Sequence, residues 1–458
     1  MNHSSKRGAR RGVLAATGIV LASAMIAGCS AGGSAQGPSN EVNEFDWRNF
    51  EGTELNLLMS EHPFSNAIKE HIPEFEELTG VTVNLETLTE TDYMVKLLTE
   101  LQSGSGSYDA FMTSQPMNYQ YAAAGWIEDL TPWIEDETRT APDWDFEDFY
   151  PALIDSLRWD KTEYSGAGEG GLWALPVNEE GYALFYRKDI LEANGIEVPQ
   201  TVDDLIAAAK QLDGTEFDGR TISGFVSRGD KTYPTLNPFS TFLLAYGGAD
   251  IVDGKAAVNS PESIEATEKW VELMQYAPEA ASTYTWYEAQ QDFIAGNAAF
   301  YIDADHMAPD FEKSAISGKV GYALPPEGPE GRGSSMWVWS LGMNAASKNK
   351  DAAWQFLQWA SSKETLTAAI ENGNMNPTRQ SVGQGEEMAA ATAEWGEYNA
   401  VWQEILSDYA KWAYTPSATW PQVGDIWTIE IQAAVLGQKS VEQAMDDAAA
   451  QIDQLISE

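Results

Sequence analysis

Cysteine is nearly absent: Cys29 is the only one in 458 residues, so no internal disulfide can form. Histidine is scarce too, and the four present, His3, His62, His71 and His306, show no zinc-type spacing. Cations are few, 27 Lys and Arg against 70 Asp and Glu, for a net charge of −43. Such a chain does not suit nucleic acid or anionic lipid, because phosphate is held by Lys and Arg. The nucleotide loops are missing, both the Gly–Lys–Ser type and the dinucleotide fingerprint. The adjacent acids Glu179 and Glu180 would point to opposite faces of a strand, which is not the facing carboxylate pair that glycoside cleavage needs. No catalytic residue, cofactor or metal is expected, and the chain does not read as an enzyme.

What is there begins with an export signal. Four cations, Lys6, Arg7, Arg10 and Arg11, precede an uncharged stretch over 12–28 with an apolar centre. That stretch is too short to span a membrane comfortably. It ends at Ile26-Ala27-Gly28-Cys29, which resembles the lipobox of bacterial lipoproteins and implies acyl chains on Cys29. Gly28-Cys29-Ser30-Ala31-Gly32 also fits a hydrolase nucleophile elbow in form, but it straddles the processing point. The pair Arg10-Arg11 leaves twin-arginine export open beside the general route. Residues 1–28 are read as the signal peptide and 29–46 as a flexible tether rich in Gly, Ser and Ala. No later run reaches membrane-spanning length.

About 410 residues remain beyond the tether, more than one small core holds, so two lobes are expected. Aromatics are plentiful, with 17 Trp, 18 Tyr and 16 Phe. Their faces stack on the C–H faces of sugars while acids and amides hold hydroxyls, although most must fill cores. Apolar alternation predicts strands at 55–59, 81–85 and 108–112, with helical spacing at 67–79 and 95–101 between them. This βαβαβ order implies a parallel sheet, with ligand at the carboxyl ends of its strands. The loops at Ser60-Glu61-His62 and Ser114-Gln115-Pro116 are therefore candidate contacts. Caps at Thr201 and Ser260 open helices over 205–212 and up to 274. Further helices are predicted at 350–360, 364–371, 395–412 and 440–456.

Five segments in order resemble the family of extracellular solute-binding proteins of carbohydrate importers. They are Ala122-Ala123-Ala124-Gly125-Trp126-Ile127-Glu128-Asp129-Leu130; Leu175-Pro176-Val177 leading to Tyr186-Arg187-Lys188-Asp189 and Pro199-Gln200-Thr201-Val202; Phe293-Ile294-Ala295-Gly296-Asn297; Asn344-Ala345-Ala346-Ser347-Lys348; and Asn376-Pro377-Thr378-Arg379. Val202 stands where the family usually has Trp, and Asn297 where it has Lys or Arg. The runs Leu57-Leu58-Met59-Ser60-Glu61-His62-Pro63 and Trp286-Tyr287-Glu288 look most like receptors for sugar alcohols such as sorbitol and mannitol. Trp337-Val338-Trp339 and Trp420-Pro421-Gln422 add to that likeness.

The resemblance implies an α/β, two-lobed periplasmic-binding-protein fold of type II, with the ligand cleft between lobes and a hinge of crossing strands. The crossings would lie near 177–185 and 337–343. The first lobe would hold 47–180 and 343–385, the second 181–342 and 386–458. Carried over by position, ligand contacts would be Ser60, Glu61, His62, Gln115, Asn178, Glu180 and Tyr182. From the second lobe come Arg228, Asn237, Asp303, Asp305, Trp337, Trp339, Trp420, Asp425 and Trp427. The implied partners are a sugar or polyol and the membrane permease of an ABC importer with its ATPase. The chain would act as a lipid-anchored monomer on the extracellular face of the cytoplasmic membrane. A receptor for a polyamine or peptide, a surface carbohydrate-active enzyme and a structural envelope protein are the alternatives.

Overall fold

Seven residues of alternating and continuous apolar character, Glu54–Ser60, form β1 at the centre of a parallel trio. The computed structural model describes residues 42–457; the signal peptide, Cys29 and most of the expected tether lie outside them. β2 is Thr82–Leu88 and β3 is Ala110–Thr113, and both run parallel to β1. Between them run the helices α1, Pro63–Thr79, and α2, Glu90–Ser103. Gly80 at φ 71° and Gly104 at φ 62° end these helices in the left-handed region that glycine enters without penalty.

The α1 helix starts four residues before the expected position. Proline sits at its first turn, and the cap is an imidazole: the His62 ring accepts the Phe64 N–H. Histidine is outside the usual capping set of Ser, Thr, Asp and Asn, which is why sequence spacing misses it.

The second half adds β4 (Leu175–Arg187), β5 (Ser223–Val226), β6 (Ala298–Ala304), β7 (Val320–Ala323), β8 (Ser334–Met343) and β9 (Ala410–Lys411). The nine strands form one sheet in the order β2-β1-β3-β8-β4-β6-β5, with β7 also on β4 and β9 also on β8. β4 and β8 are antiparallel and run through the middle of the molecule. Their ladder shifts register between Trp339 and Ser340, beside Pro176, which has no N–H to give.

Strand period separates two cores. On β6, Tyr301 faces the core that also holds Leu57, Phe111, Leu341 and Phe311. Its neighbours Phe300 and Ile302 face the other, with Phe239, Trp270, Trp427 and Met445.

The helix expected over 395–412 is shorter. Tyr398–Glu404 is helical, Ile405–Tyr409 is a π turn, and Ala410 and Lys411 pair with Ser334 and Ser335 of β8. Tertiary pairing with the crossing strand overrides the helical spacing there. Phe45, within the segment read as tether, packs edge-on to Trp47 at 5.1 Å. Among the described residues no helix is long and apolar enough to cross a membrane.

Candidate functional site

The carboxyl end of β1 and the two crossing strands converge on one cavity of about 70 Å³. β1 delivers Ser60, Glu61 and His62. β4 delivers Glu180, and β8 delivers Trp337 and Trp339. Arg228 follows β5, and Asn237 lies in the first turn of the helix Leu236–Ala245. These eight are the expected contacts that the structure gathers around one space.

Glu180 gathers the polar contacts of this wall. Its Oε1 accepts the Trp339 indole N–H at 2.8 Å and its Oε2 accepts the Tyr182 hydroxyl at 3.4 Å. His62 Nε2 lies 3.9 Å and His306 Nδ1 3.5 Å from the same Oε1. The two imidazoles, 244 positions apart in sequence, have ring centroids 5.9 Å apart. The acids Glu179 and Glu180 do point to opposite faces: Glu179 bonds Asn376 and the Trp402 indole, away from the cavity.

The cavity wall carries buried polar atoms with no hydrogen-bond partner among the described residues. They are His62 Nε2, His306 Nδ1, Trp337 Nε1 and Asn237 Oδ1. An unpaired buried polar group costs about 1–3 kcal/mol; two of the four, His62 Nε2 and His306 Nδ1, still have Glu180 Oε1 at 3.9 and 3.5 Å. A larger cavity of about 560 Å³ lies by Trp47, Trp144 and Trp359. None of the unpaired atoms lines it.

Indoles supply the apolar wall. Trp337 and Trp339 alternate on β8 and share a face, with centroids 5.9 Å apart at 66°. The ring series continues through Tyr233, stacked on Trp337 at 6.2 Å, to Trp420.

His62, Glu180 and His306 also offer three metal-ligand atoms within 4.8 Å of one another. Sequence spacing could not show this. The chemistry of His62 argues against a metal. Its Nδ1 lone pair is committed to the Phe64 N–H at 3.1 Å. Burial, followed by the nearby His306, holds its pKa well below the usual histidine value, so the ring is neutral. A neutral ring that accepts at Nδ1 carries its proton on Nε2. That atom is a donor and has no lone pair for an ion.

The remaining expected contacts lie elsewhere. Asp303 is fully buried and holds Arg228 in a two-pronged ion pair, with the Tyr301 hydroxyl donating to it at 2.9 Å. Burial and Asp303 both act on Arg228, and the acid prevails in keeping the guanidinium charged. Asp303 and Asp305 do not share a strand face, because Asp305 starts a 3-10 turn and bonds Gly181 N–H and Asn376. Gln115 accepts the Val338 N–H of β8 at 2.9 Å, and Asn178 donates to Asn374 at 2.7 Å. Trp420 bonds Asp250, and Trp427 contacts Met445 in the core. Asp425 accepts the Tyr233 N–H at the cleft mouth.

Sequence reasoning did not single out Pro63, Glu90, Pro234, Trp286 or His306, all of which line the cavity. Glu90 opens α2 and Trp286 opens the helix Trp286–Ile294, which is α3 here; the Trp286 indole donates to Glu90 across 3.3 Å. Burial and the neighbouring Glu180 raise the Glu90 carboxyl, while Arg228 and the indole lower it. A signal existed for Pro63, inside the run Leu57 to Pro63, and for Trp286, inside the run Trp286-Tyr287-Glu288.

Comparison with known proteins places this geometry. The family model described as bacterial extracellular solute-binding protein matches residues 61–366. The erythritol/L-threitol-binding protein of Mycolicibacterium smegmatis is 35% identical over 442 residues, covering 92% of each chain. An ABC transporter solute-binding protein from Agrobacterium radiobacter K84, solved with ribitol, superposes with a TM-score of 0.77 at 25% identity, over 88% of this chain and 99% of that one. A solute-binding protein from Agrobacterium vitis S4, solved with D-mannitol, has a TM-score of 0.73 at 23% identity, over 89% and 99%, and speaks for the fold alone. The fold is the type II periplasmic-binding-protein fold.

Proposed function

The chain belongs to the family of bacterial extracellular solute-binding proteins, and on that footing we propose that its cleft captures one short, uncharged polyol for an ABC importer. The observation that carries this reading is the set of unpaired polar atoms around one indole-walled cavity. Two of them, Trp337 Nε1 and His62 Nε2, are N–H donors, and Asn237 Oδ1 and Glu180 are acceptors. A hydroxyl both donates and accepts, so a chain of hydroxyls can answer donors and acceptors on the wall alike. A polyamine offers N–H donors alone and would leave both ring donors unmet; this decides against it. A carboxylate ligand would meet Glu180.

A cavity of about 70 Å³ suits a small polyol better than a disaccharide. Relatives that bind erythritol or L-threitol and ribitol support the same class. Family and relatives are binding proteins rather than enzymes. The loaded chain would dock on the permease subunits, which work with their ATPase. It would do so as a monomer held by lipid on Cys29 at the outer face of the cytoplasmic membrane. The lobes would be 47–180 with 343–385, and 181–342 with 386–458, hinged at β4 and β8.

Calorimetry with erythritol, ribitol, mannitol and spermidine tests this. Saturable binding of a polyol, nearly unchanged between low and high salt, is expected because a neutral ligand has no charge for ions to screen. Tight binding of spermidine that collapses with salt would overturn it.

A further inference from the structure

We propose that the bridge between Glu90 and Trp286 sets the length of polyol that the cleft accepts. This rests on the polyol reading above. The inner cavity of about 70 Å³ has a neighbour of about 510 Å³ at the cleft mouth. Glu90, Arg228, Pro234 and Trp286 line both spaces, so these four side chains are the partition between them.

Two of the four cannot move cheaply. Arg228 is clamped by Asp303 and by the Pro234 carbonyl at 3.3 Å. Pro234 is fixed within the 3-10 turn Tyr233–Thr235. The other two are held to each other by a single 3.3 Å hydrogen bond, and Trp286 is 38% exposed. The indole can therefore swing or be trimmed without opening the core.

Beyond the partition the mouth cavity offers what further hydroxyls would use. Tyr233, Thr232, Asp230 and Asp425 line it; Asp230 accepts the Thr232 and Thr235 hydroxyls and Asp425 accepts the Tyr233 N–H, which leaves both carboxylates room for further donors. The closed bridge hides these groups from a ligand in the inner cavity. The partition admits a ligand that ends at Glu90 and excludes one that continues.

The test is a ligand series of rising length, erythritol, ribitol, mannitol and maltitol, titrated by calorimetry into the wild-type protein, Trp286→Ala, Trp286→Phe and Glu90→Ala. The wild type is expected to favour the short end and to give no heat with maltitol. Trp286→Ala should give measurable, saturable heat with maltitol while losing affinity for erythritol. Trp286→Phe keeps the ring but not the N–H, so it should stay close to the wild-type ranking with a smaller rise for long ligands. A gain of this kind cannot come from general damage to the protein. An unchanged ranking in Trp286→Ala, or a parallel loss for every length, would overturn the partition while leaving the polyol reading standing. A wild type that binds no polyol of any length would sink the functional reading and the partition with it.

Discussion

His62 does two jobs with one ring. Nδ1 caps α1 and Nε2–H faces the cavity, so the helix dictates which tautomer a bound guest would meet. The two jobs can be separated. Asparagine is among the best N-caps but is too short to reach the cavity. His62→Asn should keep the melting temperature near wild type while weakening polyol binding by about 0.5–1.5 kcal/mol, the net worth of one hydrogen bond. His62→Ala should lose the binding and also about 0.5–2 kcal/mol of stability with the cap. Scanning calorimetry beside ligand titration reads both. Full affinity in His62→Asn would remove the ring from the ligand's partners. The resemblance carried His62 into the site, but the tautomer was not legible, because it depends on a backbone N–H that only the folded helix aims. Asp303 shows the reverse case. The resemblance carried it over as a ligand contact, and in the fold its carboxylate holds Arg228.

At the scale of elements, β4 carries more than its share of the design. One face brings Glu180 to the cavity; the other brings Glu179 to Asp305 and Asn376, which donates to both acids at 3.2 and 2.7 Å. Glu179 Oε2 and Asp305 Oδ2 have no other partner among the described residues. Burial pushes the Glu179 carboxyl up to about 7 and the Asp305 carboxyl well above its usual range. A raised folded-state pKa means that the folded protein holds protons which the unfolded chain has released. The pair's contribution is therefore full below the ordinary carboxylate range, near pH 4, and is lost as pH rises through about 7. Melting temperatures followed across that window should fall more steeply in wild type than in Glu179→Gln, which mimics the protonated acid. Parallel curves would show that the pair carries no shared proton. The opposite facing of Glu179 and Glu180 was legible from strand period alone. The helix ends at Gly80 and Gly104 and the caps at Thr201 and Ser260 were legible from local chemistry. The segment 395–412 was not, since its strand pairs with residues 76 positions away.

Across the whole molecule, the sheet joins both halves through β4 and β8 without a break. Such an architecture was expected from order and resemblance. The meeting of His62 with His306, or of Glu90 with Trp286, needs both halves in place and leaves no trace in local spacing. The start of the chain makes its own prediction. Cys29→Ser should move the protein from the membrane fraction to the soluble one, and wild-type fractionation of the variant would refute the anchor. The Trp337–Trp339 pair has a last consequence, an optical one. Two indoles at 5.9 Å and 66°, on the cavity wall, should couple their electronic transitions and contribute to ultraviolet circular dichroism. A guest that shifts either ring should change that signal, and a spectrum unaltered by saturating ligand would separate the pair from the site.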